Sequence, residues 1–193
     1  DINKDKKLDR NDLTSYLNYT GLRKGDGDFE GYISNGDINK NGLIDAYDIS
    51  VAATQIEGIA KPERGEKLAG KLILTTAKQT YTKGEAIEIQ VKGEGLSAVN
   101  ALSFALPYGA QDYEFVSIQT ENVEKMENFT YDRLQSDRSK VLYPTFVNVG
   151  NKATLEGTKT LFIIRLKAKR NVKFGLKATE GLLVDKALNT VKF

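Results

Sequence analysis

The chain has 193 residues, of which 40% are hydrophobic and 28% are charged, and it contains no Cys, no His and no Trp. This length allows one large domain or two small ones. Without Cys and His, the sequence excludes a Ser-His-Asp triad, a Cys-His nucleophile pair, the usual zinc sites and any disulfide framework. Its apolar stretches are all shorter than the ~18 residues of a membrane span, so we expect none.

Charge is distributed unevenly along the chain. Residues 1–60 carry 7 Lys and Arg against 11 Asp and Glu, whereas residues 61–193 carry 21 against 15. Such asymmetry indicates two modules with different roles. The basic part has no Lys/Arg run longer than two, at residues 169–170. A nucleic acid requires a clustered basic face, so we expect no nucleic-acid partner.

A twelve-residue motif occurs twice, at residues 1–12 (DINKDKKLDRND) and 37–48 (DINKNGLIDAYD). Both copies place oxygen-bearing side chains at positions 1, 3, 5, 9 and 12, and Ca²⁺ prefers six to eight oxygen ligands. Position 7 would contribute its backbone carbonyl. The repeat therefore predicts two Ca²⁺ ions, with these ligands: Asp1, Asn3, Asp5, Lys7, Asp9 and Asp12, then Asp37, Asn39, Asn41, Leu43, Asp45 and Asp48. The alternative is a pair of Asx-rich turns without metal.

Apolar residues at helical spacing follow each loop and predict one short helix after each of them: Leu13, Tyr16 and Leu17, then Ile49, Ala52, Ala53 and Ile56. At position 8 of the two loops, Leu8 and Ile44 are predicted to enter the core and tie the loops together. The Gly-rich connection holds Asp26, Asp28 and Glu30, whose spacing leaves a third ion or a plain solvated loop as alternatives.

The pattern changes beyond the second helix. Residues 59–70 (IAKPERGEKLAG) combine Pro, two Gly and charged residues without periodicity, which predicts a linker. Residues 86–91 (AIEIQV) then alternate apolar and polar side chains, as in a half-buried strand. Eight or nine such short strands between residues 71 and 193 predict a β-sandwich, with residues 123–136 as an irregular or helical excursion.

The duplicated loop-and-helix unit resembles the dockerin family, in which a calcium loop ending in Asp at position 12 is followed by one helix. Lys6 departs from this pattern, because Gly42 holds the same position in the second copy. The resemblance implies that loop positions 10 and 11 contact a protein partner, and these are Arg10, Asn11, Ala46 and Tyr47. The two pairs differ in charge and size, so we do not expect interchangeable binding faces.

The strand-rich part resembles the cohesin family, the partner class of dockerins. The resemblance lies in Lys83-Gly84-Glu85 before a strand and in residues 100–108 (NALSFALPY) and 157–167 (GTKTLFIIRLK). It implies a jelly-roll sandwich. We therefore expect a small all-α calcium-binding dockerin at residues 1–58, a linker at 59–70 and an all-β, cohesin-like jelly-roll sandwich at 71–193.

Three functions are compatible with these patterns. The first is a non-catalytic, calcium-dependent assembly or anchoring module, whose partner is a cohesin or dockerin of another chain. In the second, the two modules contact each other within one chain as a structural terminus. The third is carbohydrate binding by the sandwich, which the lack of Trp disfavours.

We expect no catalysis by this chain, because its acidic residues form no recognisable catalytic pair. A dockerin followed by a cohesin resembles the C-terminal modules of secreted or cell-surface bacterial glycoside hydrolases. The resemblance implies that catalytic domains elsewhere in such a parent enzyme bind the carbohydrate.

Overall fold

A computed structural model of the chain describes residues 1–58 and 66–193, which form a short helical segment and a β-sandwich. We call residues 1–58 the N-terminal segment. It contains helix α1 (Arg10–Tyr16), a 3-10 helix (Ile33–Gly36) and helix α2 (Ala46–Glu57). Loops occupy more of this segment than helices do, so an all-α description does not fit it. Within the described residues, no helix combines the length and apolarity needed to cross a membrane.

Both α-helices begin one residue after an Asp that caps them. Asp9 and Asp45 accept hydrogen bonds from helix N–H groups, while Asp12 and Asp48 accept one from the backbone N–H of the capping residue. This reciprocal pair is a capping box and satisfies N–H groups that otherwise lack helical partners. Loop positions 9 and 12 therefore fix where each helix starts.

The sandwich consists of two main antiparallel sheets and a third sheet of two short strands. Its strands are β1 Ala69–Thr76, β2 Thr80–Tyr81, β3 Ala86–Val99, β4 Ala101–Gly109, β5 Tyr113–Thr120, β6 Glu127–Asn128, β7 Tyr131–Ser136, β8 Ser139–Tyr143, β9 Thr145–Val147, β10 Leu155–Ala168, β11 Val172–Lys173, β12 Thr179–Val184 and β13 Thr190–Lys192. One main sheet has the order β1-β3-β10-β5 and the other β13-β12-β4-β8-β7, with β9 also pairing with β4, and β2 pairs with β11 in the third. The predicted β-sandwich is confirmed.

Two details of the sequence prediction need correction. Residues 123–136, expected to be irregular or helical, contain strands β6 and β7. β1 also begins at Ala69, inside the predicted linker. Residues 59–65 lie outside the described residues, so the domain boundary stays a prediction.

The sandwich core lies between the two sheets. Alternate residues of β3 and β4, such as Ile89 and Phe104, point inward and are buried. The ring of Phe162 on β10 stacks on Phe104 at 6.3 Å between centroids and lies 4.9 Å from Phe146. These pairs join the sheets through large apolar side chains, the main source of stability in such a core.

Strand β4 is buried on both faces. Its outward residues Ala101 and Ser103 are 0% and 4% exposed, although they point away from the sandwich core. A second apolar cluster covers them, and it joins Ile2, Leu13, Tyr16, Leu22, Phe29, Ile44, Ala46, Ile49, Ala52 and Ala53 of the N-terminal segment to Ala101, Phe129, Val147, Val149, Leu182 and Val184 of the sandwich. The N-terminal segment therefore shares its core with the outer face of this sheet.

Only half of the prediction for loop position 8 is correct. Ile44 is fully buried, whereas Leu8 is 49% exposed. The connection between the repeats explains the burial of Ile44, since its N–H donates to the carbonyl of Leu22 and its carbonyl accepts from Gly21, at 3.0 and 2.8 Å. This ladder holds the second loop against the shared core.

We predict that Gly21→Ala destabilises the protein by about 2–5 kcal/mol. Gly21 has φ +80°, and a Cβ there would lie 2.2 Å from Cδ2 of Tyr143 on β8. The left-handed backbone costs about 1–2 kcal/mol and the overlap adds about 1–3 kcal/mol. The control is Gly31→Ala, with φ +62° and no atom within 4 Å of the added Cβ. Equal losses for both variants in urea unfolding would show that the Tyr143 contact does not matter.

Candidate functional site

Most hydrogen bonds of the two repeated loops match position by position. Two do not: Asn3 Nδ2 donates to Asp5 only in the first loop, and the N–H of Asn39 donates to Asp48 only in the second. The position-1 carboxylate accepts from the N–H groups of positions 5 and 6, at 3.1 and 3.0 Å for Asp1 and at 3.1 and 2.8 Å for Asp37. The position-3 oxygen accepts from position 5, and the position-5 oxygen from position 7. The position-12 carboxylate accepts from positions 2 and 9, at 2.9 and 2.9 Å for Asp12 and at 2.8 and 2.9 Å for Asp48. The predicted ligands are thus gathered within each loop.

The backbone of the two loops is also alike. Position 4 has positive φ in both copies, +67° at Lys4 and +57° at Lys40. Position 6 has φ +66° at Lys6 and +88° at Gly42, so Lys6 adopts the left-handed conformation that Gly adopts without strain. The first loop therefore keeps the shape of the second at a cost of about 1–2 kcal/mol.

The donor chemistry of the loops fits a hard cation. Asp12 and Asp48 are 1% and 0% exposed, and a buried carboxylate is costly without a compensating charge. Burial is the largest cause that raises the pKa of Asp48 to about 7 and that of Asp45 to about 6. In the described residues no three Asp, Glu, His or Cys side chains converge as a metal group. A complete ligand set would therefore also need the Asn and carbonyl oxygens of the loops, which are oxygen donors that Ca²⁺ accepts.

The second loop and helix α2 lie against the outer face of the sandwich. Ala46 is fully buried there, and its N–H lies 3.4 Å from Oγ of Ser103 on β4. Tyr47 is half-buried, and together with Asp45 it lines a cavity of about 960 Å³ between the second loop and strands β12 and β13. The second repeat thus forms the contact with the sandwich through the positions that the dockerin resemblance assigns to a partner.

Arg23 connects the N-terminal segment to two sandwich residues. Its Nε donates to the hydroxyl of Tyr143 at 3.1 Å, and its guanidinium carbon lies 5.9 Å from the centre of that ring. Its Nη2 forms an ion pair with Glu180 on β12. Because the pair is partly shielded from water, its interaction is stronger than that of a fully exposed pair.

Arg133 on β7 makes the reciprocal connection from the sandwich to the N-terminal segment. Its Nε and Nη2 donate to the backbone carbonyls of Thr20 and Asn18 at 2.6 and 2.5 Å, and its guanidinium carbon lies 4.1 Å from the ring centre of Tyr131. A cation at these carbonyls satisfies acceptors in the turn that follows α1. Burial lowers the pKa of Arg133, but an arginine stays charged at any physiological pH.

The other predicted site residues take different positions. Arg10 binds Glu57 at 3.0 Å and also pairs with Glu127 of the sandwich, as an exposed network. Asn11 is exposed, and its backbone N–H donates to Asp9. In the connection, Asp26 accepts from the N–H of Arg23 at 2.8 Å, while Asp28 and Glu30 are exposed.

Several residues of the contact between the N-terminal segment and the sandwich could not be recognised from the sequence. Arg23, Arg133, Tyr143 and Glu180 belong to no motif, because their roles depend on partners more than a hundred residues away. The nearly continuous apolar stretch at 101–106 (ALSFAL), interrupted only by Ser103, was a usable signal. A strand whose apolar residues do not alternate with polar ones is expected to be buried on both faces.

We predict that Arg133→Ala destabilises the protein by about 2–3 kcal/mol, because two carbonyls lose a charged donor in a partly buried place. Hydrogen exchange at residues 13–20 should accelerate with it. Arg138→Ala, in the exposed turn between β7 and β8, is the matched control and should change stability by less than about 0.5 kcal/mol. Unchanged exchange at residues 13–20 in Arg133→Ala would contradict the assigned contact.

Comparisons with known proteins concern the fold. No protein-family model matches the chain, and no curated protein is similar to it in sequence. Among solved structures, the sixth cohesin of scaffoldin B from Acetivibrio cellulolyticus, solved in complex with a mutant Cel5 dockerin, gives a TM-score of 0.50 at 16% identity, covering 64% of this chain and 92% of that one.

Two further structures give the same score. A type II cohesin domain from the cellulosome of Acetivibrio cellulolyticus is 9% identical and covers 65% of this chain and 89% of its own. A type I cohesin–dockerin complex from Clostridium thermocellum is 11% identical, with 68% and 92% covered. Such low identity shows the fold alone. The chain has a cohesin-like fold, as predicted for residues 71–193, whereas the dockerin interpretation of residues 1–58 stays a prediction.

Proposed function

We propose that the chain is a non-catalytic protein–protein interaction module in which a calcium-binding dockerin, residues 1–58, docks on the cohesin-like sandwich of the same chain. The observation that carries this proposal is the apolar cluster shared by helix α2 and the outer face of β4, β9 and β12. Two of the cohesin structures of similar fold were solved with a dockerin bound, which supports the same pairing here.

The contact depends on apolar burial more than on net charge. The N-terminal segment carries excess negative charge, but two bound Ca²⁺ ions would cancel it, so long-range attraction to the basic sandwich would be weak in the calcium-loaded state. Ala46 and Ala53 are 0% and 1% exposed, which shows close packing without long side chains. Arg23 and Arg133 then fix the orientation of the two parts.

Covalent connection favours docking within one chain over docking between chains. Two surfaces joined by a short stretch of chain meet at an effective concentration of about millimolar, far above that of free protein in most solutions. A dockerin or cohesin of another chain would therefore have to displace the internal contact. On this proposal, residues 1–58 normally occupy the sandwich surface of the same chain, and the whole module is a structural unit of its parent protein.

Calcium is the proposed cofactor of both loops. The evidence for it is the repeated hydrogen-bond pattern, the all-oxygen donor set and the buried carboxylates of Asp12 and Asp48. When bound, the ion would compensate the charge of these carboxylates and fix the loop from which each helix starts. As the resemblance implies, the expected parent is a secreted or cell-surface bacterial glycoside hydrolase.

We predict that calorimetry finds two Ca²⁺ ions per chain and that EDTA removes much of the helical circular dichroism while the β signal persists. Small segments without disulfides depend on a bound metal for folding, so ion binding and helix formation are coupled. Magnesium at equal concentration should restore little of the signal, since it requires a smaller octahedral site. Helices that persist unchanged in EDTA would contradict calcium binding by the loops.

A pair of variants assigns the ions to the loops. Asp48→Ala should bind one Ca²⁺, because it removes a position-12 carboxylate that closes the second loop. Asp28→Ala is the control, as this exposed carboxylate lies outside both loops. It should bind two ions, and loss of one ion in Asp28→Ala would instead support a site in the connection.

We predict that Ala46→Arg separates the N-terminal segment from the sandwich. The fully buried Ala46 has no room for a guanidinium, whereas its counterpart in the first repeat is Arg10, so an arginine is compatible with the start of the helix. Hydrogen exchange at residues 101–105 should accelerate in calcium, and the exposed apolar face should favour oligomers in light scattering. Asn11→Arg, on an exposed surface, should behave as the wild type. Unchanged exchange in Ala46→Arg would contradict the docked arrangement.

A further inference from the structure

The sandwich places a carboxylate beside the second loop. Glu180 lies where the pairing of β12 with β4 shifts register between Thr179 and Leu182, and it has φ +54°. Bulges of this kind redirect a side chain, and a left-handed residue other than Gly costs about 1–2 kcal/mol. Glu180 and Asp45 line the same cavity between the second loop and β12, and both also line a small void beside Ser103.

The second loop has one carboxylate fewer than the first. The first loop carries Asp at position 5, whereas the second carries Asn41, and the other acidic positions are shared. Most hydrogen bonds of the two loops match, so among the ligand side chains the charge at position 5 is the main difference. Affinity of such loops for Ca²⁺ depends on the number of charged ligands. Glu180 is placed to restore the missing negative charge.

The environment of the loops is also asymmetric. Asp1 and Asp5 of the first loop are exposed to solvent, whereas Asp37 of the second loop is 5% exposed. Charges act at longer range where water is excluded. The side chain of Glu180 is 41% exposed, but it lines a cavity with residues of the second loop and none of the first, so its charge acts mainly on the second loop.

Resting on the proposed function, we propose that Glu180 is a positioning residue of the second calcium site, through which the docked sandwich raises the affinity of that loop for Ca²⁺. Linkage is reciprocal, so Ca²⁺ in the second loop strengthens docking by the same factor. The first loop lines no part of the cavity that Glu180 lines, so Glu180 is not expected to change its affinity for Ca²⁺. Docking and calcium binding are thus coupled at one of the two sites.

A variant of Arg23 distinguishes an electrostatic role of Glu180 from a purely structural one. It pairs with Glu180 and lines the same cavity, so it contributes a positive charge to the surroundings of the second loop. Glu180→Gln and Arg23→Gln both remove this ion pair, and Arg23→Gln also removes the hydrogen bond to Tyr143, so it should weaken docking at least as much. Their electrostatic effects on a bound cation have opposite signs.

Calcium titration of the full chain by calorimetry tests the coupling. Glu180→Gln should weaken one of the two sites by roughly three- to tenfold and leave the other unchanged, while Arg23→Gln should weaken that same site less, because the loss of its positive charge opposes the effect of weaker docking. Asp5→Asn is the matched control, because it gives the first loop the same ligand side chains as the second. It should weaken only the site that Glu180→Gln leaves unchanged. The melting of the β signal verifies that each variant is folded.

The outcomes distinguish the two proposals. A site that Arg23→Gln weakens as much as Glu180→Gln would overturn the electrostatic role of Glu180, as would two unchanged sites in Glu180→Gln. In those cases calcium binding by the loops would still stand. A wild-type chain that binds no Ca²⁺ at millimolar concentration would overturn the proposed function, and the inference with it.

Discussion

The burial of one sheet face beneath helix α2 is the contact on which the rest of the structure depends. Strand β4 contributes inward residues to the sandwich core and outward residues to the second apolar cluster, so one strand belongs to two cores. The N-terminal segment is too small and too rich in loops to bury much apolar surface by itself. Its helices, its repeated loops and the arginine contacts all acquire fixed places because this face covers them.

The polar contacts fix the orientation of the N-terminal segment on the sandwich, in addition to the apolar burial. Arg23 and Arg133 cross the boundary in opposite directions, one from each side, and both act on groups that stand at least partly shielded from water. Apolar contacts alone tolerate sliding, whereas two charged donors with fixed acceptors do not. A cohesin-like surface that accepts one specific segment needs both kinds of interaction.

The local elements of the fold were largely predictable from the sequence. Apolar residues at helical spacing after each loop predicted the two helices, and Asp9 and Asp45, predicted only as ligands, prove to be their caps. Alternating residues 86–91 predicted a strand of the sandwich in the same way. The relation between the two parts was not predictable, since the contact of Arg23 with Glu180 depends on residues 157 positions apart and on a register shift that no local pattern encodes.

The order of these contacts along the chain has a consequence for biosynthesis. Ala46 meets a residue 57 positions later, Arg10 one 117 positions later and Arg23 one 157 positions later. The N-terminal segment leaves the ribosome first, yet the face that covers it is complete only after β12 has emerged. Contacts of such long sequence separation form slowly. Docking is therefore the closing step of folding, and the apolar side of helix α2 must stay free of other partners until then.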